Sequence, residues 1–179
     1  MKFSTIFLDR DGVINRKLEN DYVKNWSEFE FLPGVKEALI QLTAAQHRLI
    51  IITNQRGVSR GIMSEADVTN VHQKLRSVVA ESGAIISGIY FCPHDNHQCL
   101  CRKPDVGMFL NAQKDFPEIE FAKSVMIGDS LTDLEAGSRV GCATIFINPS
   151  SKLLIPNPSS FNLLGEAESL IEATTKYLL

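Results

Sequence analysis

The sequence predicts an α/β fold in which a mostly parallel sheet lies between two layers of helices. Two patterns carry that prediction. Short apolar runs alternate with amphipathic stretches along the chain, and strands alternating with helices imply parallel pairing through crossovers. The apolar runs are nearly continuous, as strands covered on both faces require.

Taken in order, Ser4–Asp9 reads as the first strand. Pro33-Gly34 opens a helix whose Val35, Leu39 and Leu42 fall at helical spacing. Arg48–Thr53 is the second strand. Ser64 caps a second helix, with Val68, Val71, Leu75 and Val78 as its stripe. Ile86–Phe91 is the third strand and Ser124–Gly128 the fourth, flanked by helices over Gly107–Phe116 and Leu131–Val140. Cys142–Asn148 is the fifth strand, and Cys142 packs there as a small hydrophobe. Asn148–Asn162, rich in Pro, Ser and Asn, reads as a surface loop, and Glu166–Leu178 as a C-terminal helix.

Composition narrows the class. A chain of 179 residues predicts one domain over residues 1–179. Hydrophobic residues at 44% and charged residues at 22% exclude wholesale disorder. A net charge of −3 argues against nucleic acid and anionic membrane as partners. No apolar run reaches about 18 residues, and Asp9-Arg10-Asp11 comes too early for a secretory signal. The expectation is a soluble, cytoplasmic monomer.

In such a fold the ligand crevice lies at the carboxyl ends of the strands. The first strand ends in Asp9, the second in Thr53 and the fourth in Asp129, while the third leads to Arg102-Lys103. Asp9 and Asp11 are one residue apart, with Gly12 allowing the chain to turn away. Two adjacent carboxylates repel, and a divalent cation such as Mg²⁺, which prefers oxygen ligands, offsets that repulsion. Asp129 can supply a distant third carboxylate. Carboxylates, a hydroxyl and cations at one crevice suit a metal and a phosphate.

The four cysteines are unevenly placed: Cys92, Cys99 and Cys101 crowd together and Cys142 stands apart. Cys92-Pro93-His94 followed by Cys99-Leu100-Cys101 offers a Cys₃His set, typical of structural Zn²⁺, with His94 preferred to His97 as the imidazole.

Asp9-x-Asp11-Gly12-Val13, then Thr53, then Lys103 before Pro104, then Gly128-Asp129-x-x-x-Asp133, resembles the four motifs of the haloacid dehalogenase superfamily. The resemblance spans about residues 4–148. It implies a Rossmann-like three-layer fold and a phosphatase mechanism. Asp9 would be the nucleophile and Asp11 the acid and base. Asp9, Asp129 and Asp11 (through its backbone carbonyl) would hold Mg²⁺. Thr53 and Lys103 would hold the phosphoryl group, and Asp133 would orient Lys103. The DxDG start combined with the cysteine loop is similar to small phosphatases acting on sugar bisphosphates, heptose bisphosphate among them, or on histidinol phosphate. Asp21-Tyr22-Val23, Phe29–Gly34 and Gly57-x-x-Arg60-Gly61 lean toward the sugar bisphosphate group. By that resemblance Glu19, Asn20, Asp21, Tyr22, Thr53, Asn54, Gln55, Arg56, Arg102 and Lys103 contact a phosphorylated sugar, with Arg102 reading its second phosphate or a sugar hydroxyl and Arg56 available as a further cation beside it. Ser130 and Arg56 depart from the usual text, as does Asp105-Val106. Only about seventeen residues separate Asn15 from Pro33, room for a flap and not for a cap domain, so a capless fold is expected.

Overall fold

The computed structural model describes residues 3–149 and 154–179. The strands are β1 (Thr5–Leu8), β2 (Arg48–Asn54), β3 (Ile86–Cys92), β4 (Ser124–Gly128), β5 (Ala143–Ile147) and β6 (Leu163–Ala167). They form one sheet in the order β3-β2-β1-β4-β5-β6, every neighbouring pair parallel. The helices are α1 (Val35–Ala44), α2 (Glu65–Glu81), α3 (Gly107–Asp115), α4 (Leu131–Val140) and the short α5 (Leu170–Ala173).

Alternate residues of the central strands feed two cores. Ile6, Leu8, Leu49, Ile51, Val125 and Ile127 pack with Leu39 and Leu42 of α1, Val71 and Leu75 of α2, and Leu170 of α5. Phe7, Ile50, Ile52 and Met126 face the other way, onto Phe109 and Ala112 of α3 and Ala136 of α4. This double burial is why the strands read as continuous apolar runs. The Phe7 and Phe109 rings meet at 4.9 Å.

The expected three-layer α/β arrangement is therefore present, with one element misread. Glu166 lies in β6, and the last helix begins only at Leu170 before a π-helical turn over Thr174–Leu178. β6 pairs with β5 and covers what would otherwise be an open sheet edge. The fifth strand starts at Ala143, with Cys142 fully buried just before it. Of the expected loop Asn148–Asn162, residues 150–153 lie outside the described residues, and Pro158–Ser160 forms a single 3₁₀ turn. No helix among the described residues is long and apolar enough to cross a membrane.

β1 sits centrally: the chain moves outward to β2 and β3 on one side, then returns to β4 on the other. The crevice at this reversal receives the carboxyl ends of β1 and β4. Asp9 follows β1, its N–H still bonded to the Ile127 carbonyl at 2.9 Å, and Asp129 follows β4.

Candidate active site

Gly12 shapes the first turn. Its φ is +91°, and a Cβ there would overlap the Asp129 carboxylate, so only glycine lets the loop pass so close. The N–H groups of Ile14 and Asn15 both bond to the Arg10 carbonyl, closing a tight loop around Asp11.

Lys103 is the electrostatic centre. It is 3% exposed. Its ammonium donates to Asp9 Oδ1 at 2.8 Å and to the Ile52 carbonyl at 2.7 Å, and pairs with Asp133 Oδ1 at 2.6 Å. The ammonium thus faces three oxygens, two of them through hydrogen bonds and the third as an ion pair. Burial alone would push this ammonium down, but Asp133 and Asp9 hold it above the ordinary lysine range. Asp133 is fixed in turn by a capping box at the start of α4: Ser130 Oγ donates to its Oδ2 at 2.6 Å and the Ser130 N–H at 3.1 Å. Asn54 clamps the Lys103 backbone from β2, accepting from its N–H at 3.0 Å and donating to its carbonyl at 3.1 Å.

Asp9 and Asp11 are in opposite electrostatic states. Burial, reinforced by Asp133, Asp129 and Asp11 against the pull of Lys103, pushes Asp9 up to about 7. Asp11 is half-buried, which by itself would raise it, yet Arg10 and hydrogen bonds from Asn15 and Gln55 hold it below the usual carboxylate range. Asn15 Nδ2 and Gln55 Nε2 each donate to it at 2.9 Å. Gln55 Nε2 also donates to Thr53 Oγ1 at 2.9 Å, leaving the threonine hydrogen free for a ligand.

The carboxylates of Asp9, Asp129 and Asp133 gather within 4.8 Å. Both Asp133 oxygens are engaged by Ser130 and Lys103. Asp129 Oδ2 accepts from Lys17 at 2.9 Å, while its Oδ1 is buried without a hydrogen-bond partner among the described residues. Burial raises Asp129 despite Lys17. An orphaned carboxylate oxygen beside Asp9, in an all-oxygen donor set, fits Mg²⁺. The Asp11 side chain accepts from Arg10, Asn15 and Gln55 and is not one of the carboxylates gathered there.

The cysteine loop also forms a cluster. The Cys92, Cys99 and Cys101 sulfurs lie 3.1–3.5 Å apart, and His94 Nδ1 is 3.6 Å from Cys92 and 3.4 Å from Cys101. These separations are too long for a disulfide and close to the edges of a tetrahedron with zinc–sulfur bonds of about 2.3 Å. Burial pushes the Cys92 and Cys101 thiols up, whereas hydrogen bonds from Cys101 and from backbone N–H groups overcome burial to bring Cys99 down to about 7. Cys142, outside the cluster, is pushed up to about 12 by burial.

A cleft of about 480 Å³ opens above Asp9. Of the expected substrate contacts, Asn20, Asp21, Tyr22, Thr53, Asn54, Arg102 and Lys103 line it. Three others do not. Glu19 is exposed outside it. Gln55 is fully buried, tying Thr53 to Asp11. Arg56 turns to Asp95 of the cysteine loop at 2.5 Å. Two lining cations were missed, Lys17 and Arg60. Arg60 sits in the Gly57-x-x-Arg60-Gly61 text already singled out, so a signal for it existed. Lys17, in the flap, carried none.

Fold and site together define a haloacid dehalogenase-type phosphatase, and residues 4–140 match the polynucleotide kinase 3 phosphatase family, to which the chain belongs. The chain is 43% identical to the D-glycero-α-D-manno-heptose-1,7-bisphosphate 7-phosphatase of Mycobacterium bovis, over 90% of this chain and 87% of that one. It is 38% identical to the β-anomer enzyme of Vibrio cholerae, over 90% and 86%. Among solved structures, the D,D-heptose 1,7-bisphosphate phosphatase of B. bronchiseptica, complexed with magnesium and phosphate, superposes with a TM-score of 0.86 at 30% identity, covering 98% of each chain.

Proposed function

We propose that this protein is a Mg²⁺-dependent phosphomonoesterase that removes the 7-phosphate of D-glycero-D-manno-heptose 1,7-bisphosphate, with Zn²⁺ as a structural ion in the cysteine loop. The observation that carries the reading is Lys103, locked between Asp9 and Asp133 beside an unpartnered Asp129 oxygen, in a cleft that Arg60 and Arg102 also line. The names of the heptose bisphosphatase relatives support the choice of substrate. The reading extends to a cytoplasmic monomer serving activated-heptose synthesis.

Asp9, Asp129 and the Asp11 main chain would hold Mg²⁺, which when bound neutralises charge on the phosphoryl oxygens and the surrounding carboxylates. A carboxylate oxygen of Asp9 attacks phosphorus, the bond from phosphorus to the sugar oxygen breaks, and an aspartyl-phosphate results. Asp11 gives the departing oxygen its proton. Asp11 is ionised in the ligand-free protein, so that proton is taken up from solvent as the phosphate binds, the arriving negative charge raising the proton affinity of the carboxylate. Asp11 then takes a proton from the water that attacks phosphorus, releasing phosphate and restoring Asp9. Lys103 and the Thr53 hydroxyl stabilise charge on the phosphoryl oxygens, and Asp133 keeps Lys103 aimed. Arg102 and Arg60, in place of Arg56, take the remote C1 phosphate. Binding energy at that end orients the reacting phosphate.

The test is kcat/KM, with and without Mg²⁺, for both heptose bisphosphate anomers, fructose 1,6-bisphosphate and histidinol phosphate. A heptose bisphosphate should be best, with heptose 1-phosphate as product. Histidinol phosphate as the best substrate would overturn the assignment.

A further inference from the structure

Arg10 is the largest fully buried side chain, and the reaction as derived gives it no contact with substrate. A buried guanidinium is tolerated only when its charge is met by acceptors; here the two terminal nitrogens of Arg10 carry those contacts, and its Nε–H has no hydrogen-bond partner among the described residues. Its NH2 donates to both Asp11 oxygens at 3.0 Å and to Gln55 Oε1 at 3.3 Å. Its NH1 points the other way, into the protein, and lies 3.0 Å from Nε2 of His72. His72 stands on α2, is 5% exposed and does not line the cleft. Its ring meets Phe91 edge-on at 5.6 Å between centroids, which fixes its plane.

The direction of that bond is determined. A guanidinium only donates, so Nε2 accepts and the ring hydrogen sits on Nδ1. Burial first, and then the Arg10 charge, push the imidazole down to about 3, so it stays neutral and remains an acceptor at physiological pH. On α2 His72 is buried among Val68, Val71 and Leu75, with Val79 in the core place expected of Val78, so it puts a polar group on the core face.

We propose that His72 is a positioning residue: as a neutral acceptor it anchors Arg10, and Arg10 with Gln55 holds the Asp11 carboxylate where it meets the leaving oxygen. This rests on the phosphatase reading, and it extends the acid-base machinery one layer back, from the cleft to the inner face of α2. Gln55, expected to touch substrate, belongs to the same assembly and links Asp11 to Thr53.

The experiment compares His72→Leu, His72→Gln and wild type. kcat/KM covers steps up to departure of the leaving group, so substrates differing in leaving group isolate the proton given by Asp11. An alkyl phosphate needs that proton; p-nitrophenyl phosphate, with a stable anion as leaving group, needs it little. A misplacement of about 1 Å can cost about 10²-fold. His72→Leu should therefore lose about that factor on the alkyl substrate and far less on p-nitrophenyl phosphate, at unchanged Mg²⁺ affinity. His72→Gln, which restores an acceptor, should recover most of the loss. Equal losses on both substrates, or no recovery with Gln, would overturn the proposal. Should His72→Leu not fold, imidazole ¹⁵N shifts of the wild type between about pH 5 and 8 decide it. The Nδ1–H tautomer throughout is expected, and a charged ring or an Nε2–H tautomer refutes it. Failure of wild type to hydrolyse any phosphoester would instead sink the phosphatase reading, which the ¹⁵N result would leave untouched.

Discussion

Asp9→Asn should destroy activity and at the same time stabilise the metal-free protein. The Asp9 carboxyl, ordinarily near 3.8, is pushed up to about 7 in the fold, chiefly by burial. Ionised Asp9 is therefore unfavourable in the folded state even with Lys103 attached. A tenfold change in a protonation equilibrium is about 1.4 kcal/mol, so above pH 7 the charged group weakens the fold by about 4 kcal/mol. The sign follows from proton counting. Between about pH 4 and 7 the folded state keeps a proton that the unfolded chain has lost, so wild-type stability falls as pH rises through that window. Asparagine does not titrate and can still accept from Lys103, so the variant lacks that fall. At 2–4 °C per kcal/mol for a chain of this size, the variant should melt roughly 10 °C higher than wild type at about pH 8. The gap should shrink toward zero near pH 4. Calorimetry in magnesium-free buffer across this range measures it, and added Mg²⁺ should raise wild type more than the variant. A variant no more stable than wild type at high pH, or a gap independent of pH, would refute the reasoning.

Other substitutions test the rest of the site. Lys103→Met strips the partner from two buried carboxylates, at about 3–5 kcal/mol of stability, and removes a fixed charge worth about 10²–10³ in kcat; melting and phosphate release should both fall, and near-normal turnover would contradict its role. Cys101→Ser should lower zinc content from about one per chain and lower Tm, whereas unchanged zinc by elemental analysis would exclude the cluster as its site. Arg60→Ala and Arg102→Ala should each cut kcat/KM for the bisphosphate by about 10–100-fold while sparing p-nitrophenyl phosphate. Arg56→Ala should leave that ratio unchanged, because its guanidinium is held by Asp95.

What could be read from the sequence divides along physical lines. β1 through β5 were legible because burial on both faces makes strands continuously apolar, and their ends delivered Asp9, Thr53 and Asp129 to one crevice. The cysteine loop was legible from spacing alone. β6 was not, because Leu163-Leu164-Gly165-Glu166-Ala167 is an edge strand, half-buried and broken by glycine. It therefore lacks the apolar run that marked the others, and Glu166 reads on into the helical text behind it. Arg56 and Arg60 could not be ranked, since a loop sets the direction of each side chain; an ion pair with Asp95 takes Arg56 away from the cleft. Gln55 was assigned to substrate for the same reason, although its place two residues after Thr53 turns it inward to Asp11.

The central claim is that Asp9 carries the phosphoryl group. Acid quenching during turnover, followed by borohydride reduction, converts an aspartyl-phosphate to homoserine, which peptide mass spectrometry locates. The account predicts homoserine at position 9, dependent on substrate and Mg²⁺ and absent from Asp9→Asn. Unmodified Asp9 in a protein releasing phosphate at full rate, or homoserine at another aspartate, would contradict it.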